Sequence, residues 1–419
     1  MPQRPTVDPI SALRHRSFLL FLVGSLLSNT GNQMRTVAVG WDVYQRTGRA
    51  LDLGYVGLVL ALPVILLALP AGAAADRYSR RGLIMLAQGG LALSGIGLAW
   101  TSHTAAPMPL LYLFLLATGI FRALGWPAST AIVVSLVPTK VFPNAAMWRS
   151  VAFQLAATLG PLLGGFVIAW WNPVAVYLID AASSVILMTL LIFIKAKQHT
   201  REAEPKSWRS LLQGIHYLRK QPIIMSTMVL DMVAVLFGGV VALLPIYATD
   251  VLHVGPQGFG WMRAMPSLGA ICMGLWLAVR PPFERGGVAL LAAVIVFGVA
   301  TLVFGVSTSF PLSLAALFVL GAADNISVVI RATVLQLLTP DSMRGRVSAV
   351  SIIFIGTSNE IGEFESGVAA EFMGLVPSVL FGGTMTLVTV GVVAAIWPEL
   401  VRLGSLEHLQ PPEPVEVVA

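Results

Sequence analysis

Apolar residues along this chain come in long unbroken runs, without the alternation of strands or the half-apolar stripe of surface helices. Cutting the runs at charges, prolines and glycines leaves twelve segments, over roughly 17–40, 51–75, 83–102, 108–136, 144–170, 174–194, 223–248, 257–279, 287–307, 311–337, 347–372 and 376–397. A helix that spans a bilayer needs about 20 apolar residues, and each segment supplies that length. The pattern predicts an all-α membrane protein of twelve transmembrane helices. The first run, from Ser17 to Gly40, is long enough to span, and no small-residue cleavage site follows a short apolar core, so it reads as an uncleaved first helix.

The longest polar stretch, residues 195–221, splits the segments six and six. The predicted organisation is a six-helix bundle over 1–194, a cytoplasmic linker over 195–221, a second six-helix bundle over 222–398 and a cytoplasmic tail over 399–419. Within the linker Trp208, Leu211, Leu212, Ile215 and Leu218 share one helical face, which predicts an amphipathic helix lying on the inner leaflet. Basic residues collect on alternate loops, at Arg14, Arg16, Arg77, Arg80, Arg81, Lys140, Arg280, Arg285, Arg344 and Arg346, whereas the opposite loops carry Arg46 and Arg49. Positive loops stay inside, so both termini are expected in the cytoplasm. At an offset of 202 residues Gly72 meets Gly274, Gly119 meets Gly321, Gly160 meets Gly362 and Gly165 meets Gly367. All four pairs fall in corresponding segments, as a parallel repeat about an axis normal to the membrane requires.

Composition narrows the class. Of the 419 residues 56 % are hydrophobic and 11 % charged, against about 25 % charged in soluble proteins, and the mean hydropathy is +0.82. A soluble multidomain protein is excluded. The net charge of +6 fits basic cytoplasmic loops against anionic lipid and calls for no nucleic acid. Cys272 is the sole cysteine, so no intramolecular disulfide forms, and the six histidines contain no i, i+4 pair. No metal site and no cofactor is expected. The chain has no G-x-x-x-x-G-K-[ST], which excludes a nucleotide-driven pump, and no Ser/His/Asp or metal constellation at a membrane face, so it is not expected to be an enzyme.

Between segments two and three stands Gly72-Ala-Ala-Ala-Asp76-Arg77-Tyr-Ser-Arg80-Arg81. It resembles the G-x-x-x-D-R-x-G-R-R/K loop signature of the major facilitator superfamily, with Ser79 at the second glycine. The resemblance implies a conformational latch built from Gly72, Asp76, Arg77, Arg80 and Arg81, with Asp76 accepting from the positive N-terminus of another helix, in the eleventh segment. In segment five Gly160-Pro161-Leu-Leu-Gly164-Gly165 is similar to that family's antiporter signature, with Ala156 at its first position. Small residues allow close helix approach, and the proline bends the helix interior. The whole chain resembles the twelve-helix exporters that include the enterobactin exporters, macrolide efflux proteins and transmembrane secretion effectors. In segment four Arg122 is followed by Gly125, where the family spacing is one residue longer.

Polar groups at depth carry the remaining chemistry, since charges in a bilayer face the bundle interior. Ser25, Asn29, Asn32, Gln33 and Thr36 form one stripe on segment one, with Arg35 and Asp42 on an adjacent line. The 202-residue offset relates Arg122 to Asp324 and Asn29 to Asp231, while Asn359, Glu360 and Glu363 share one side of segment eleven. Eight acids in or near the core (Asp42, Asp180, Asp231, Asp324, Glu360, Glu363, Glu365, Glu371) face four arginines, Arg35, Arg122, Arg263 and Arg331. A buried carboxylate without a partner takes up a proton, the property a proton carrier needs. The expectation is a monomeric secondary transporter working by alternating access, a proton-coupled exporter of amphipathic small molecules such as drugs or siderophores. Its partners are that substrate, protons and the lipid bilayer. A proton-coupled symporter or a lysophospholipid transporter of the same fold is the alternative. The acidic excess points to neutral or cationic substrates, with Arg35 paired to Asp42. The resemblance to catecholate exporters points to anions.

Overall fold

The computed structural model describes residues 9–194, 208–281 and 283–406. Within them the chain runs α1 Arg16–Thr47, α2 Ala50–Arg77, α3 Arg80–His103, α4 Met108–Ala131, α5 Phe142–Trp170, α6 Pro173–Ile192, α7 Trp208–Arg219, α8 Pro222–Phe237, α9 Gly255–Ala278, α10 Gly286–Val306, α11 Phe310–Leu338, α12 Asp341–Met373 and α13 Leu375–Ile396. Helix α7 is the amphipathic one, and the other twelve match the twelve apolar segments in order. Residues 195–207 of the linker and the tail beyond 406 lie outside the described residues.

Among the described residues nine stretches are long and apolar enough to cross a membrane. Helices α1, α9 and α12, of 32, 24 and 33 residues, have the length. They are diluted by polar side chains: the stripe and Arg35 on α1, Arg263 on α9, and Glu360, Glu363, Glu365 and Glu371 on α12. These three helices have the length of a span but are too polar to read as plain apolar ones. Leu93 and Leu275, 70 % and 67 % exposed on the outside of their helices, are at home only against lipid.

The seventh segment departs from a single span. Helix α8 stops at Phe237, and after Gly238 and Gly239 the chain continues as a 3-10 turn over Val240–Leu243, a short turn over Leu244–Ile246 and a π turn over Tyr247–Val251. Two adjacent glycines weaken the helix, and Pro245 removes a backbone donor. Such a break survives in a membrane only where protein re-satisfies the backbone. Here Arg263 Nη1 donates to the Val241 carbonyl at 3.2 Å. A methyl group built on Gly239 would lie 2.7 Å from the Gly362 carbonyl oxygen, and one on Gly362 would lie 2.8 Å from that of Val235. Helix α12 thus comes against the break backbone to backbone.

The chain forms two compact units. One contains α1 up to Asp42 and the chain from Leu62 through α6; the other contains Val43–Ala61 and everything from α7 onward. In the first, α3 packs on α4 and α6; in the second, α10 packs on α11 and α13, the same arrangement one repeat later. The 202-residue offset also holds contact by contact. A methyl on Gly160 would lie 2.5 Å from Gln33 Cβ, and its counterpart Gly362 meets Val235; Gly164 approaches Val37, and Ser366 approaches Gly239. Helix α7 docks on the start of α12, where Gly214 lies against the Arg346 backbone and Tyr217 donates to the Leu338 carbonyl at 2.9 Å. Leu218 is buried there, while Leu212 stays 61 % exposed.

Glycines set the tightest crossing. A Cβ on Gly321 would overlap the Pro266 backbone, and one on Gly269 would overlap the Phe318 carbonyl, whereas one on Gly274 would rest 3.6 Å from Asn325 Oδ1. We predict that Gly321→Ala lowers stability by about 1–3 kcal/mol, the range for overpacking. Gly274→Ala, on the same helix pair, should leave it unchanged or raise it by up to about 1 kcal/mol through helix propensity. Thermal unfolding of the purified protein in detergent reads both.

Candidate functional site

The Gly72–Arg81 loop joins α2 to α3. Its arginines act on helix ends. Arg80 Nη1 donates to the Ala131 carbonyl at 3.0 Å, at the last residue of α4; Arg81 donates to the Ile192 and Ile194 carbonyls at 3.0 and 3.3 Å, at the end of α6. Helix C-termini present unsatisfied carbonyls and a partial negative charge, so two guanidiniums tie three helices of the first unit together. Ser79, in the family's glycine position, is the N-cap of α3: its Oγ accepts from Gly82 N at 3.2 Å, and its φ of −62° is open to any residue. Gly72 is buried, and Asp76 and Arg77 are exposed at the end of α2.

Helix α1 turns Gly24, Gly31 and Arg35 to α6 and Gln33, Met34 and Val37 to α5, while Ser25, Asn29, Asn32 and Thr36 of its polar stripe stay half-buried on the side away from them. Gly160 seats on Gln33 and Gly164 on Met34 and Val37, so the G-P-x-x-G-G segment, with Pro161 and Gly165 buried, is the surface on which α1 packs. Arg35 and Asp42 are both buried, at 4 % and 6 % exposure. Arg35 Nη1 pairs with Asp180 Oδ2 at 2.6 Å, and its other amino group donates to Asn32. Asp42 accepts from Tyr177 at 3.3 Å, and Ser28 donates to Gln88 at 3.1 Å. The partner of Arg35 is therefore Asp180 and not Asp42, because seven residues along α1 separate their levels while α6 brings Asp180 alongside. Gly31 and Gly95 make the room: methyls built on them would lie 3.0 Å from Asp180 Cα and 3.5 Å from Asp180 Oδ2. Asn29 and Gln33 remain half-buried, as does Arg122 on α4.

In the second unit Arg331 of α11 forms an ion pair with Asp231 of α8. Its Nε donates to Ser327 Oγ at 3.3 Å. Asp231 and Asp324 line a common cavity between α8, α10 and α11, walled by Ala234, Val235, Phe297 and Ala323. Glu363 lies 3.9 Å from Arg263, the residue that also holds the broken α8, and Glu360 is half-buried one turn away on α12. At the other end of this unit Glu371 accepts from Arg49 Nε and Nη2 at 3.1 and 2.9 Å, and Tyr44 donates to Asp250. The arginine and tyrosine come from the ends of α1 and α2 that cluster with this unit.

Sequence reasoning did not find the hold on the amino-terminal segment. Asn144 of α5 accepts from Ala12 N at 2.9 Å and donates to the Pro9 carbonyl at 2.8 Å, and Trp148 Nε1 donates to the same carbonyl at 3.0 Å. The asparagine four residues ahead of a tryptophan at a helix start was the available signal.

Residues 7–415 match the family described as transmembrane secretion effector. The chain belongs to this family. It is a major facilitator transporter, a membrane protein and not an enzyme. It is 26 % identical to the enterobactin exporter EntS of Citrobacter koseri, over 96 % of this chain and 95 % of that one. It is also 26 % identical to the multidrug efflux pump Tap of Mycolicibacterium fortuitum, over 92 % and 96 %. Among solved structures it superimposes on an inward-facing bacterial homologue of the lysosomal transporter Spinster with a TM-score of 0.71 at 15 % identity, covering 95 % and 98 %. The nucleoside transporter NupG gives 0.69 at 14 %, covering 92 % and 98 %. These last two establish the fold.

For this secretion effector the first unit's ion pair is structural by its burial. Removing one member leaves a charge without its partner, a loss of about 3–5 kcal/mol, while removing both is far milder. Arg35→Gln is predicted to collapse the yield of folded protein, and Arg35→Gln with Asp180→Asn to recover most of it, read by size-exclusion yield and thermal unfolding. Ser79→Ala should cost about 1 kcal/mol and Ser79→Gly a few tenths, by the same measurement.

Proposed function

We propose that the protein is a proton-coupled exporter, an antiporter that moves amphipathic small molecules out of the bacterial cell by alternating access, as a monomer with both termini in the cytoplasm of the inner membrane. The observation that carries this reading is the seat of the α5 signature on α1. Gly160 and Gly164 bring a proline-bearing helix against Gln33 and Met34 with no side chain between them. A seam that tight leaves no room for a water file along it, which suits a transporter that must hold a proton gradient while it releases substrate. The two exporter relatives, one named for a siderophore and the other for drugs, support the direction.

The arginines bear on the substrate. Arg35 is bound to Asp180, Arg331 to Asp231, and Arg263 lies against Glu363. With those guanidiniums committed, neutral or cationic amphiphiles are the favoured cargo, since an anion would meet carboxylates it has to displace or protonate. In everted membrane vesicles energised with a proton gradient, the wild type is expected to accumulate tetraphenylphosphonium in preference to enterobactin. Accumulation that survives dissipation of the gradient would end the proton-coupled reading, and preferential uptake of enterobactin would reverse the assignment of charge.

The Asp76 carboxylate, exposed at the end of α2, is free of the structural duty that Arg80 and Arg81 perform. As the acidic member of the latch it acts on conformational exchange and not on folding. Asp76→Asn is therefore predicted to cut transport at least tenfold while the melting temperature stays at the wild-type value. A variant that transports normally would dismiss the latch.

A further inference from the structure

The second unit sets two carboxylates beside one guanidinium, Asp231 buried and Asp324 half-buried. Asp231 is 6 % exposed and paired with Arg331. Asp324, Ser327 and Arg331 stand at i, i+3 and i+7 on α11 and so share one face. Ser327 fixes the arginine from below at 3.3 Å. Arg331 acts electrostatically on both aspartates, and the two act on each other. Of the helices of this unit packed around it, α10 and α13 contain no titratable side chain. Helix α9 contributes Arg263, which is engaged by Glu363 and the Val241 carbonyl, and its exposed Cys272. Helix α12 adds the acids Glu360, Glu363, Glu365 and Glu371, with Arg344 and Arg346 at its start, where α7 docks. Two ionised carboxylates and one guanidinium therefore leave a net charge of −1 among apolar walls, and one proton removes it.

The fold itself does not call for the acidic pair. At the 202-residue offset the first unit builds the corresponding positions from Asn29, Arg122 and Ser129 where the second has Asp231, Asp324 and Arg331. There Arg35 pairs with Asp180, and the second buried carboxylate, Asp42, accepts from Tyr177. The cavity beside the aspartates measures about 10 Å3, of the order of the space one water requires, so a single water can sit against Asp231 and Asp324.

We infer that Asp324 is the group that carries the transported proton, with Arg331 as the positioning residue that serves both aspartates in turn. With Asp324 protonated, Arg331 belongs to Asp231 and the triad is neutral. When Asp324 gives its proton to water, the new carboxylate draws on the same guanidinium, and the triad holds its extra charge until a proton returns. This assignment rests on the proton-coupled reading above, and it places coupling in the second unit and away from Glu360 and Glu363.

Infrared difference spectra of the purified full-length protein, taken between acidic and alkaline buffer, test it without a substrate. A protonated-carboxyl band that titrates well above ordinary aspartate behaviour is expected in the wild type. It should lose intensity in Asp324→Asn and keep it in Glu360→Gln and Glu363→Gln, with Glu365→Gln marking the share of the half-buried Glu365 on α12. The band should grow in Arg331→Gln, where both aspartates hold protons. Should Asp324→Asn fail to fold, Asp324→Glu is expected to move part of the band in frequency. A band unchanged in Asp324→Asn, or unchanged in Asp324→Glu, overturns the assignment. Everted vesicles separate the two levels: wild-type accumulation of tetraphenylphosphonium that survives at full size in Asp324→Asn defeats this inference alone. An Asp324 band in a wild type that concentrates neither tetraphenylphosphonium nor enterobactin under a proton gradient defeats the exporter reading.

Discussion

A charge taken into hydrocarbon has to be matched inside the protein, and the arrangement of both units follows from how that matching is done. In the first unit Arg35 and Asp180 neutralise each other at 2.6 Å, with Asn32 on the second amino group. Around that pair α1, α3 and α6 are drawn together, and Gly31 and Gly95 are small because the carboxylate lies against them. In the second unit Arg331 meets Asp231 while Asp324 lines the same cavity. The first bundle sets its arginine between two helices, whereas the second sets its arginine beside two carboxylates.

Matching charge does not by itself bring helices together in a bilayer, where lipid tails are as apolar as leucine. Close approach of backbones does it, and glycine makes that approach possible. The equivalent contacts of Gly160 on Gln33 and Gly362 on Val235 show one solution used in both halves. The halves then diverge. Where Arg35 and Asp180 stand in the first unit, the offset places Phe237 and Gly382 in the second, and Gly382 lies directly against the Phe237 carbonyl. The ion pair is replaced by backbone contact at the place where α8 ends, and the space so gained lets Gly238 and Gly239 break the helix. Arg263 then has both a carbonyl to cap and Glu363 to face.

The ends of α1 and α2 between Val43 and Ala61 cluster with the second unit through Tyr44 on Asp250, Arg49 on Glu371 and the meeting of Gly54 with Gly367. The ion pair is exposed, with side chains 56 % and 26 % accessible, so it contributes little energy and is readily broken. The glycine contact brings backbone against backbone, with the Ala50 and Phe364 carbonyls close by.

Much of this was legible along the chain, because hydropathy is a sum over neighbouring residues and a bilayer reads that sum directly. The twelve spans, the amphipathic α7, the two glycine-bearing motifs, the 202-residue repeat and the family resemblance all follow from local pattern. The polarity of α1 and α12 was legible as well. What the pattern could not supply is which groups meet. Arg35 lies 145 residues from Asp180, and no spacing rule selects Asp180 over Asp42. Arg80 and Arg81 read as loop charges, yet they cap the ends of α4 and α6, since helix carbonyls are invisible in a side-chain sequence. The interruption of the seventh span hides in an apolar run, because Gly238 and Gly239 break a helix only when α12 is there to cover the exposed backbone. Composition and periodicity determined how many helices there are and where each begins; the rotation of each helix about its own axis, which decides the partner of every buried charge, was left to the packing of helices remote in sequence.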